Sequence, residues 1–209
     1  MMSAASEESK SFNYSALKLS GLLIVVYILQ TGFSLELAYR PGVEYYRFFT
    51  SFIAHSGLDH LINNIFFISL FGSIYERYTS SQTFYATFLA AAIFANMTAF
   101  VFYPETFIVG ASGGAMAIMA ALAVYRPHQT GLALGVPVPM WAALIIYVLI
   151  DIVGLTGTNN VANEAHLAGI LIGSFIGYRL RNPVDNSTDD EDAENQDLEL
   201  DKWEKEYMY

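Results

Sequence analysis

Apolar residues in this chain gather into long runs, interrupted by few polar positions. Six stand out, near Leu17–Leu35, Leu58–Ile74, Gln82–Tyr103, Ser112–Tyr125, Val138–Leu155 and Ala165–Leu180. A helix needs about 20 such residues to cross a hydrocarbon core of roughly 30 Å, and a helix without a polar face belongs in lipid or in the middle of a larger bundle. The pattern predicts an all-α polytopic membrane protein, a bundle of six transmembrane helices. The fourth run is short. The fifth has an indistinct start, because Pro137 and Pro139 follow the apolar GLALGV. The first run begins only after a polar lead and lacks a small-residue cleavage site, so it is expected to be a span and not a signal peptide.

Composition agrees. Of 209 residues, 54% are hydrophobic and only 14% charged, against about 25% charged in ordinary soluble domains. With no cysteine there is no disulfide, thiolate metal site or cysteine nucleophile. The net charge of −10 is concentrated: from Asp185 onward there are eleven acidic residues and two lysines. Three regions are therefore expected: a polar cytosolic lead at 1–15, a membrane domain at 16–181, and an acidic, disordered cytosolic tail at 182–209. Nothing suggests a nucleic-acid partner. With the N-terminus in the cytosol, inner segments hold Lys10, Lys18, Arg77, Arg126, Arg179 and Arg181, and outer ones only Arg40 and Arg47. The positive-inside rule thus puts both termini in the cytosol.

Polar residues inside spans are candidates for function. The second span opens HSGLDHLINN, with His60 and Asn64 four apart on one helix face. The fourth opens GASGGAMA around Ser112, and the sixth carries His166 at its head. Ala165, Gly169, Gly173 and Gly177 recur every fourth residue in the sixth span, and Gly113, Ala117 and Ala121 do so in the fourth. Such small-xxx-small stripes let two helices pack backbone against backbone. Packed so, they would bring Ser112 and His166 together. Measured back from Arg126, Arg179 and Arg77 at 1.5 Å per residue, Ser112, His166 and Asn64 each lie roughly 20 Å from the cytosolic boundary. All three share one level, about 10 Å below the outer face of a 30 Å core.

A serine, a histidine and an amide at one depth suit hydrolysis. Imidazole can take the hydroxyl proton and return it to a leaving amine. Ser112 follows the Pro104–Val109 loop at a helix start, where free N–H groups and the positive helix end stabilise an oxyanion. Asn64 supplies a further donor, and His60 a second. Taken singly, Ser112 reads as a helix cap, His166 as a hydrogen-bonded buried histidine and Asn64 as interhelical glue. Only their coincidence points to chemistry. Asp151, late in the fifth span, invites a triad but is assigned to loop anchoring. Glu76 and Arg77 mark the cytosolic interface.

These motifs resemble those of the rhomboid family of intramembrane serine proteases, in its minimal prokaryotic six-span form. The family's GxSG matches Gly110-Ala111-Ser112-Gly113; its AHxxGxxxG matches Ala165 and His166 through Gly169 to Gly173; its HxxxN matches His60 to Asn64, preceded by His55. Tyr46-Arg47 resembles the family's Trp-Arg, with Tyr for Trp, and Phe71–Glu76 resembles the end of its second helix. The first outer loop, Glu36–Tyr45, is short for the family. The resemblance covers roughly 43–180. It implies Ser112 as nucleophile and His166 as base in a dyad, with no metal or cofactor. It implies Asn64, His60 and the Gly110 segment at the oxyanion, and His55, Gly113, Gly169 and Gly173 as structural neighbours. Substrates would be transmembrane segments of other proteins, unwound locally within the lipid. They would be admitted beside the fifth span under the Thr156–Glu164 loop, with the site opening to the extracytoplasmic side. Two rival classes are an inactive rhomboid-like protein that binds membrane clients, which typically lacks the serine or histidine, and a small transporter, which calls for inverted repeats and broken helices.

Overall fold

The computed structural model describes residues 12–156 and 162–182. The acidic tail, most of the N-terminal lead and residues 157–161 of the expected lid loop lie outside the described residues. Each predicted apolar run falls mainly on helix, although the fifth begins on strand, at Val138 and Pro139. The helices are α1 (Ser15–Gly32), a short α2 (Arg47–Thr50) running into the 3₁₀ turn Ser51–Ile53, α3 (Leu58–Phe67), a π-helical turn at Ile68–Gly72, α4 (Ser73–Tyr78), α5 (Ser81–Phe102) and α6 (Ser112–Tyr125). After strands β1 (Thr130–Ala133) and β2 (Val136–Pro139) come α7 (Met140–Gly154) and α8 (Asn163–Arg181). By length and apolarity α1 and α5 can each cross a membrane. A third span is available if Arg47–Ile53 and Leu58–Tyr78, bent by 79°, count as one. The α6 and α7 helices are apolar but shorter, at 14 and 15 residues.

Helix α6 occupies the centre. Its sequence, SGGAMAIMAALAVY, combines alanine, the best helix former, with glycines that allow close approach, and most of it is buried. Large apolar side chains point outward instead: Val25 and Ile28 of α1, Met97 and Val101 of α5, Leu149 and Val153 of α7, Leu171 and Phe175 of α8 are all exposed. Small residues along the α6 contact and large apolar side chains on the outer surface suit a lipid solvent, where close van der Waals approach drives helix association.

The α6–α8 seam follows the two stripes read from the sequence. A Cβ placed on Gly169 would collide with the backbone of Gly113, one on Gly173 with that of Ala117, and one on Gly177 with that of Ala121. The register is therefore fixed at three successive turns.

Two local structures depart from the sequence expectation. GLALGVPVP is an antiparallel hairpin, with Thr130 opposite Pro139 and Ala133 opposite Val136. Its two-residue turn, Leu134-Gly135, has φ of 51° and 80°, the positive pair that a twisted hairpin requires. Leucine there hides the signal that Asn-Gly would give. Glu76, expected to mark the cytosolic interface, has a structural role besides: it is buried, and its carboxylate accepts from Ser15 N at 2.7 Å and from Ser81 Oγ at 2.9 Å. A carboxylate against the first turn of α1 satisfies an orphan N–H and complements the helix dipole.

Candidate active site

Ser112 is the first residue of α6 and is half-buried. Its approach is tightly specified. Gly110 has φ +126°, a region L residues avoid, and any Cβ there would lie 2.5 Å from His60 Cε1 and 2.6 Å from His60 Nε2. Only glycine lets the chain pass the imidazole before turning into α6. The Gly110 N–H donates to Ser51 O at 2.9 Å. Upstream, Tyr39 and Ile108 exchange backbone hydrogen bonds of 3.0 and 2.7 Å. The short first outer loop thus clamps the segment that carries the serine. Asn96 of α5 secures the same loop, donating to Phe48 O at 2.9 Å and Ser51 Oγ at 2.8 Å. Arg47 holds it from the other side, 3.1 Å from Glu36 and 2.8 Å from Glu44.

His60 sits in the first turn of α3, with Nδ1 paired to Ser56 Oγ at 3.0 Å and Nε2 facing Gly110. His55 packs edge-on against it, ring centroids 5.2 Å apart. The His55 ring is buried, and its main chain pairs with the Gln30 side chain, at 2.8 and 3.1 Å. Asn64 is buried one turn below His60, and its amide donates to His60 O at 2.8 Å. That uses one of its two N–H groups and leaves the other available.

His166 lies in the first turn of α8, its side chain 13% exposed. The seam sets its position relative to Ser112: Gly113 meets Gly169, and a Cβ on Gly113 would lie 3.6 Å from the Ala165 carbonyl oxygen. The immediate neighbours of Ser112 and His166 are in contact across the two helices. The Ser112 hydroxyl makes no hydrogen bond among the described residues. Gly110, two residues before Ser112, lies against the His60 ring, which brings α3 to the same site.

Asp151 is the residue that sequence reasoning misassigned. Its carboxylate accepts from His166 Nδ1 at 2.9 Å, with the aspartate side chain only 4% exposed. It is not a loop anchor. The available signal was a carboxylate in an otherwise apolar helix, a costly residue that requires a partner. At the outer end, Tyr103 donates to Glu164 at 2.5 Å, joining α5 to the first turn of α8.

The family model for the Rhomboid domain matches residues 42–183, which takes in His60, Asn64, Gly110, Ser112, Asp151 and His166. Among curated proteins, the chain is similar to Rhomboid protease GluP of Bacillus subtilis, 27% identical over 140 residues (67% of this chain, 27% of the relative). It is also similar to the mitochondrial Presenilin-associated rhomboid-like protein A of Danio rerio, 30% identical over 138 residues (61% of this chain, 36% of the relative). A third relative is the chloroplastic Rhomboid-like protein 11 of Arabidopsis thaliana, 24% identical over 154 residues (68% of this chain, 55% of the relative). The chain spans between about a quarter and just over half the length of these relatives.

Proposed function

The chain belongs to the rhomboid family, and from that premise we propose that it is an intramembrane serine endopeptidase cleaving transmembrane segments of other membrane proteins. It is an integral membrane protein. In this reading six helical passes cross the bilayer: α1, α3 with α4, α5, α6, α7 and α8. The short α6 suffices because Ser112 begins below the outer surface. Both termini are cytosolic and the site opens to the extracytoplasmic side. The division into lead, membrane domain and acidic tail at residues 15 and 182 belongs to the same reading.

The observation that carries the proposal is the α6–α8 seam. It holds the neighbours of Ser112 and His166 in contact while leaving His166 Nε2 free of any hydrogen bond among the described residues. The Ser112 hydroxyl attacks the scissile carbonyl carbon, its proton passes to His166 Nε2, and the carbonyl π electrons move to oxygen. The first N–H groups of α6, the second N–H of Asn64 and His60 Nε2, when protonated, can donate to that oxyanion. Collapse re-forms the carbonyl and expels the amine, which takes the proton from the imidazolium. Water, deprotonated by Nε2, then cleaves the Ser112 ester. Because a helix satisfies its own carbonyls, the substrate must unwind locally before attack.

The test is detergent-solubilised protein with a labelled transmembrane peptide, wild type beside Ser112→Ala, together with a serine-directed fluorophosphonate. Cleavage and labelling should both vanish in Ser112→Ala and fall sharply in His166→Ala. Folded wild-type protein that resists the probe, while a serine hydrolase in the same detergent reacts, would sink the reading and favour an inactive client-binding protein.

A further inference from the structure

The geometry points to Asp151 as a third member of the machinery, a positioning residue that fixes the tautomer of His166 and stabilises its protonated form. This rests on the reading of Ser112 and His166 as nucleophile and base.

A carboxylate in the apolar interior is expensive, and such residues persist where a partner or function requires them. Asp151 belongs to α7, whose other interior positions are apolar: Met140, Ala143 and Tyr147 are its remaining buried residues. The Asp151 side chain makes a hydrogen bond to His166 and to no other described residue, and Oδ2 is buried without a partner. A structural anchor would be expected to use both oxygens. This one is committed to a single imidazole nitrogen.

An ionised carboxylate only accepts hydrogen bonds, so Nδ1 must carry the proton, and Nε2 then carries the lone pair. The unengaged nitrogen is therefore the basic one. As Nε2 takes the serine proton, the ring becomes cationic 2.9 Å from an anion. That attraction grows only as the proton transfers, so it favours the transition state over the ground state. The proton on Nδ1 does not need to move to Asp151. The other ionisable group near His166 is His60 from α3, while Glu164, on α8 itself, is held by Tyr103 of α5.

Asp151→Asn keeps the shape but can present an N–H to Nδ1 and select the wrong tautomer. With a soluble transmembrane-peptide assay, kcat should fall by roughly 10²- to 10⁴-fold with KM little changed, by the logic of an acid that orients a catalytic histidine. A merely structural role would lower the folded fraction and leave kcat per folded molecule in place. Asp151→Glu should recover part of the rate. Nitrogen-15 histidine NMR of the wild type gives a measurement independent of folding in any variant: it should show Nδ1 protonated. Wild type active with Asp151→Asn unchanged in kcat, or Nε2 protonated in the resting protein, overturns the role of Asp151 alone. Wild type inert to both peptide and fluorophosphonate overturns the underlying protease reading and this inference with it.

Discussion

Gly173→Ala adds one methyl group two helical turns from His166 and removes nothing from the site. Its Cβ would lie 2.6 Å from both the carbonyl carbon and the Cα of Ala117. Carbon pairs are comfortable at about 3.5–4.0 Å, so α6 and α8 must separate by roughly 1 Å. The obstacle is main chain, which no rotamer change can relieve. Overpacking of this kind costs about 1–3 kcal/mol, against which alanine recovers roughly 1 kcal/mol of helix propensity over glycine. The net loss of stability is therefore modest. The effect on rate should be larger, because a misplacement of about 1 Å can cost around 10²-fold in a reaction that depends on alignment. Gly21→Ala in α1 is the control, since a Cβ there meets nothing within 4 Å. The assay is cleavage of a labelled transmembrane peptide, normalised to folded protein by thermal unfolding in detergent. Gly173→Ala should be sharply impaired at nearly normal stability, and Gly21→Ala unaffected. A Gly173→Ala protein that cleaves at the wild-type rate would refute the idea that backbone contact along the seam sets the Ser112–His166 geometry.

Three further outcomes are expected. Asn64→Ala should lower turnover by about 10²–10³ if its free N–H serves the oxyanion, and His60→Ala by less; normal cleavage in Asn64→Ala would leave it a packing residue capping His60 O. Glu76→Ala removes the acceptor for Ser15 N and Ser81 Oγ, so thermal unfolding should show a loss of about 2 kcal/mol while the folded fraction keeps its activity; an unchanged melting curve would show that water replaces the carboxylate. Reporter tags at residues 1 and 209 should report one compartment and a tag within residues 157–161 the other; opposite signals from the two termini would refute an even number of passes.

The sequence by itself determined where the helices lie and which of them can touch. Apolar run length and a four-residue glycine period are local properties, and each residue carries them whatever its surroundings. The boundaries of α6 and the pairing of Gly169, Gly173 and Gly177 with Gly113, Ala117 and Ala121 were legible for that reason. The hairpin was not, because Leu132, Val136 and Val138 are as apolar as a span, and its turn depends on Leu134 accepting a left-handed backbone. The partners of Glu76 and Asp151 were not legible for a deeper reason. Which side chain meets a buried carboxylate depends on the rotation and height of one helix against another. Packing of the whole bundle sets those quantities, through contacts far apart in the chain. Asp151 is fifteen residues from His166, on a different helix, and Glu76 is sixty-one from Ser15. Only the tertiary structure could decide that the lone carboxylate of α7 faces the imidazole at the head of α8.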